Sequence, residues 1–126
     1  MNIAIDALNL YSGGSKTHIN NFLTEFNKAN SKDFIFIFLF DDLNIIKLKN
    51  NRIKYIYLEN IYSISFMKFF WQIFLSNKKF KKFKIDRLFV PGGIYLGSFK
   101  PYYPMCRNML LFENSQIALY ENILNK

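Results

Sequence analysis

Apolar positions along the chain fall into short unbroken runs, separated by stretches with helical spacing. Asn2 to Ala7 is a brief strand-like run, followed by the breaker cluster Tyr11-Ser12-Gly13-Gly14-Ser15. From Lys16 onward, Ile19, Phe22, Leu23 and Phe26 recur at three- and four-residue steps, which marks one face of a helix. Asp33 leads into Phe34-Ile35-Phe36-Ile37-Phe38-Leu39-Phe40, a continuous apolar run closed by Asp41-Asp42. Unbroken hydrophobicity with β-branched and aromatic side chains predicts a central strand buried on both faces. Ile53 to Leu58 alternates more cleanly and predicts another strand. Ile64 to Phe80 predicts a helix, and Arg87 to Val90 a fourth strand closed by Pro91-Gly92-Gly93. Met105 and Cys106 are expected on a fifth strand. Ser115 to Leu124 predicts a last helix, capped by Asn114 or Ser115.

Strands that alternate with helices predict parallel pairing with crossover helices on both faces. The expected fold class is therefore α/β: a three-layer, Rossmann-like domain with a mainly parallel sheet. The 126 residues suffice for one such domain, spanning 1–126, and neither repeat nor low-complexity linker divides it. Ligands of doubly wound sheets bind outside the carboxyl ends of the strands. The loops at Gly13-Gly14, Pro91-Gly92-Gly93 and Arg107-Asn108 are expected at those ends.

Composition narrows the class further. Hydrophobic residues are 51% and charged residues 21%, which excludes a disordered polar chain. Seventeen basic against nine acidic residues leave a net charge of +8, pointing to anionic partners rather than to any fold. A single cysteine, Cys106, excludes a disulfide-stapled scaffold, and its apolar neighbours predict a buried inert thiol. One histidine and one cysteine make no metal-ligand cluster, so no metal or other cofactor is expected. The most apolar stretch, Ser65 to Leu75, covers about 15 Å as a helix, half of a ~30 Å hydrocarbon core. It does not span. The first residues lack the basic segment of a secretory signal, so a cytoplasmic location is expected, with peripheral attachment to the inner membrane face as a variant.

The segment Leu8 to His18 joins the first strand to the first helix. Its glycines let backbone amides approach a ligand, and a helix N-terminus adds about half a positive charge. That combination seats an anion such as a diphosphate. A phosphate-binding P-loop needs Gly at the positions of Leu10 and Ser15 before Lys16-Thr17, and the dinucleotide fingerprint needs spaced glycines. Neither pattern is present. A tight strand-to-helix turn without ligand explains the glycines equally well.

The opening I-A-I-D-A-x-N-L-x-S-G-G-x-x-T-H, Ile3 to His18, resembles the start of family 4 glycosyltransferases of the GT-B fold. A second stretch, Val90-Pro91-Gly92-Gly93 and then Met105-Cys106-Arg107-Asn108-Met109-Leu110-Leu111-Phe112-Glu113, resembles that family's strand-loop ending in N-M-x-P-F-E. Leu111 stands where the pattern has Pro. The resemblance implies a glycosyltransferase N-terminal domain that contributes to sugar transfer from a nucleotide sugar to a glycan or lipid-linked acceptor. It implies that Gly13, Gly14 and Lys16 meet the donor diphosphate, and that His18, Arg107 and Asn108 line the acceptor side. In that family a C-terminal domain binds the nucleotide sugar and carries an E-x7-E motif in a glycine-rich loop. Glu113 and Glu121 have this spacing but no glycine between them, so the match reads as chance. The chain alone is thus expected to be inactive, with the donor domain absent or supplied by another chain.

Phe66 to Arg87 combines an aromatic helix with Lys78, Lys79, Lys81, Lys82 and Lys84. On a regular helical wheel Ile64, Met67, Trp71 and Phe74 share a face, and Phe66, Phe69, Phe70 and Ile73 cover most of the rest. A helix apolar on most sides is expected to be buried, here as a crossover helix ended by a solvated basic loop. The alternative is a non-catalytic membrane-surface or partner-binding domain, with these lysines on anionic headgroups. No recognisable motif supports nucleic-acid binding.

Overall fold

The computed structural model describes residues 1–10, 13–40, 45–58 and 65–105. The chain runs through β1 (Asn2–Asp6), α1 (Gly13–Lys28), β2 (Phe34–Leu39) and β3 (Ile53–Tyr57). It continues through α2 (Ser65–Phe70), a π-helical turn (Trp71–Leu75), α3 (Ser76–Lys82), β4 (Arg87–Val90) and β5 (Tyr102–Pro104). The strands form one sheet in the order β3-β2-β1-β4-β5, and every neighbouring pair is parallel. This is an α/β fold consistent with the Rossmann-like class.

Alternation along each strand sends successive side chains to opposite faces, which builds two cores. Ile5, Ile35, Ile37 and Leu39 pack with Ile19 and Leu23 of α1 on one face. Ala4, Phe36, Phe38, Leu88 and Val90 pack with Trp71 and Phe80 on the other. Phe38 sits at the centre of the second core, with ring centroids 5.9 Å from Trp71 and 5.2 Å from Phe80. Three layers result, as expected from the alternation of elements.

Three expectations are corrected. The first helix starts at Gly13, so the glycine pair forms its first turn instead of a loop before it. The fifth strand is Tyr102–Pro104, immediately before the expected Met105 and Cys106. The helix over Ile64 to Phe80 is not buried on most sides. A π turn takes about one residue more than an α turn, and Ser76 N–H bonds to Trp71 O accordingly. Trp71 therefore shares its face with Ser76 rather than with Phe74. Trp71, Gln72, Ser76 and Phe80 are buried, while Phe66 and Phe74 are 75% and 64% exposed. The final helix predicted over Ser115 to Leu124, and Cys106, lie outside the described residues.

Among the described residues no helix is long and apolar enough to cross a membrane.

Candidate functional site at the strand carboxyl ends

From β1 the chain crosses to β2 on one side, while β4 pairs with β1 on the other. The strand order reverses there, which makes the carboxyl ends of β1 and β4 the switch point where doubly wound sheets hold ligands. Helix geometry leaves the first four N–H groups of α1 without intrahelical acceptors, and Gly13, Gly14 and Lys16 belong to that turn. Among the described residues outside its own helix, nothing lies within 4 Å of where a Cβ on Gly14 would sit, so none of them blocks close approach to the backbone there.

The loops after β1 and β4 interlock where Gly92 meets Asn9. A Cβ on Gly92 would sit 2.7 Å from Asn9 Cβ and 3.1 Å from Asn9 O, so only glycine fits. Gly93 has φ of +79°, a left-handed conformation that glycine adopts without steric cost. Its N–H bonds to Val90 O at 3.1 Å, and Met105 N–H reaches the same oxygen at 3.0 Å.

Beneath the loops runs a buried polar strut that no sequence motif marks. Asp6, the last residue of β1, is 1% exposed. Its Oδ1 accepts from Leu8 N–H at 3.0 Å, and its Oδ2 from Gln72 Nε2 at 2.9 Å. Gln72 Nε2 also donates to Ile94 O at 3.3 Å, and Gln72 Oε1 accepts from Leu96 N–H at 3.4 Å. Ser76 Oγ donates to Gln72 O and lies 3.1 Å from Tyr95 Oη. One carboxylate thus ties the end of β1, the π turn and the loop after β4 together. Burial pushes the Asp6 carboxyl up to about 6, against the opposing pull of Leu8 N–H, the Gln72 amide and the charge of Lys68. Burial likewise raises the Tyr95 phenol. Asp6 has no access to a substrate. Its role is to position.

The structure brings together Gly13, Gly14 and Lys16 in one helical turn but sets His18 apart. Five residues beyond Gly13, about 7.5 Å along the axis, His18 stands with its ring centroid 6.3 Å from that of Phe89. There it lines a mostly apolar groove of about 310 Å³ over β1, β4 and β5, with Phe22 and Tyr103. Arg107 and Asn108 lie outside the described residues. Lys78, Lys79, Lys81 and Lys82 are exposed along α3, and Lys84 is exposed in the left-handed turn that follows it. Among the described residues, no three of His, Cys, Asp and Glu converge as metal ligands would.

No protein-family model, curated protein or solved structure matches this chain.

Proposed function

We propose that this chain is the acceptor-side domain of a GT-B sugar transferase, working with a second nucleotide-fold domain that binds the nucleotide sugar. One arrangement carries the reading: α1 starts on two adjacent glycines at the point where the strand order reverses. During transfer, negative charge builds on the leaving diphosphate, and preorganised donors aimed at that charge lower the barrier. The amides of Gly13 and Gly14, the helix dipole and the Lys16 ammonium supply such donors on this side of a cleft. The acceptor is a glycan or a lipid-linked sugar. His18 reaches it only if the acceptor extends onto the α1 flank.

Amide spectra of the 15N-labelled chain, titrated with a nucleoside diphosphate and separately with pyrophosphate, test the reading. Saturable shifts at Gly13, Gly14 and Lys16 support it, and spectra that stay unchanged there overturn it. Robust turnover of a nucleotide-sugar panel by the chain alone would end the claim that a second domain is needed.

A second reading, attachment to a membrane surface, is favoured by the outward face of the crossover helix. Phe66, Phe70, Ile73 and Phe74 are 75%, 39%, 44% and 64% exposed, and the exposed lysines of α3 follow them. Aromatics at the acyl boundary with ammoniums on anionic headgroups fit this face, each lysine contributing about 1 kcal/mol near such a surface. Co-sedimentation with anionic vesicles, lost at high salt and in F66S/F74S, is the expected outcome. Sedimentation indifferent to lipid charge refutes the electrostatic part.

A further inference from the structure

We propose that a groove between the end of β3 and the crossover helix binds a small anionic amphiphile, a single alkyl chain ending in a phosphate or carboxylate. The groove has a volume of about 680 Å³, within the range of ligand pockets. Its wall is apolar: Leu58, Trp71 and Leu75 line it, with Tyr57. Its rim is cationic: Lys78, Lys79 and Lys82 border the same space.

Among the described residues no carboxylate pairs with these lysines. The ion pairs among the described residues lie elsewhere, between the Met1 amino group and Asp33 and between Lys28 and Glu25. Four residues of helix advance about 6 Å, so Lys78, Lys79 and Lys82 converge within little more than one turn. That spacing suits one compact head group with several oxygens. An extended polyanion would need cations spread along the helix, and an uncharged lipid would leave three ammoniums without a role. The apolar wall adjoining the cationic turn then receives the chain of the same molecule.

This site is separate from the glycine turn. With β2 between them, β3 and β1 lie about 10 Å apart, so the proposal does not rest on the transferase reading. It also differs from membrane attachment, because it predicts capture of single molecules in solution.

The chain's one tryptophan is Trp71, so its fluorescence reports on the groove directly. Dodecyl phosphate and dodecanoate, each below its micellar concentration, should change that fluorescence saturably. An uncharged dodecyl amphiphile should bind at least about tenfold more weakly, and inorganic phosphate at equal concentration should leave the signal unchanged. The triple variant K78Q/K79Q/K82Q alters only exposed side chains, and circular dichroism confirms its fold. It should lose about tenfold or more in affinity for both anionic amphiphiles, from partly exposed charges worth roughly 0.5–1 kcal/mol each. Equal binding of the uncharged amphiphile overturns the proposal, as does an unaltered triple variant. So does a response confined to anionic vesicles, which would assign the lysines to surface adsorption, or no response at all.

Discussion

Replacing Asp6 by asparagine probes the polar strut through its pH dependence. The carboxyl is raised from its ordinary 3.8 to about 6, chiefly by burial. The difference, 6 − 3.8, corresponds to about 3 kcal/mol at roughly 1.36 kcal/mol per pH unit. Below about pH 4 the group is protonated in the folded and the unfolded chain alike, and burial carries no ionisation penalty. Between about pH 4 and pH 6 the unfolded chain releases the proton while the folded chain keeps it, so stability falls as pH rises. Above about pH 6 the penalty is complete. Asparagine has no proton to release. The stability of the wild type minus that of Asp6→Asn should therefore decline by about 3 kcal/mol from about pH 3.5 to about pH 7. Other titrating groups cancel in this difference, including Asp33, whose carboxyl is held low by Ser31 and the N-terminus. The variant has a pH-independent cost of its own. Its Nδ2 would face Gln72 Nε2, donor against donor, at about 1–3 kcal/mol for the unmade hydrogen bond. The variant should thus be the weaker protein in acid and equal or stronger at neutral pH. Urea unfolding followed by Trp71 fluorescence across that range measures both arms. A difference independent of pH, or one that grows in favour of the wild type as pH rises, refutes the assignment.

Gly92→Ala places a methyl 2.7 Å from Asn9 Cβ and 3.1 Å from its carbonyl oxygen. Overpacking of that kind should cost about 1–3 kcal/mol, read as a lower urea midpoint with an unchanged slope. Gly14→Ala meets no neighbour among the described residues outside its own helix, so it should keep or raise stability by up to about 1 kcal/mol. If the glycine amides seat a diphosphate, the same variant should weaken the pyrophosphate titration, a split between stability and binding that calorimetry and amide spectra together resolve.

The strands were the most legible part of the chain, for a physical reason. A central parallel strand is covered on both faces, so all of Ile35 to Leu39 is buried and apolar, and the run announces itself. β5 is hard to read because its three residues, Tyr102–Pro104, are exposed, follow Pro101 and end on Pro104, prolines that edge strands tolerate and central strands do not. The start of α1 is hidden in the sequence because glycine is a poor helix former and the apolar stripe begins only at Ile19. Within the candidate site, Gly13 and Gly14 stand out because glycine pairs punctuate a chain. The Asp6–Gln72 contact does not, since it joins positions 66 residues apart. Its two halves were nonetheless odd residues in their settings, an acid closing an apolar strand and an amide inside an aromatic helix.

The π turn accounts for both the strut and the exposed aromatic face. Were residues 71–75 regular α-helix, Trp71 would share its side with Phe74 and Leu75, and the following turns would be rotated by about a residue. Ser76 and Phe80 would then swing away from the core that now contains them at 0% exposure. The wider turn instead turns Gln72 toward Asp6, keeps Ser76 within reach of Tyr95, and drives Phe74 outward beside Phe70, their ring centroids 4.9 Å apart. The buried hydrogen bonds and the solvent-facing aromatic pair are therefore two sides of one change in helical pitch. Any substitution that restores regular α geometry should disturb the inner strut and the outer surface together, because no rotation of this segment satisfies one while leaving the other where it is.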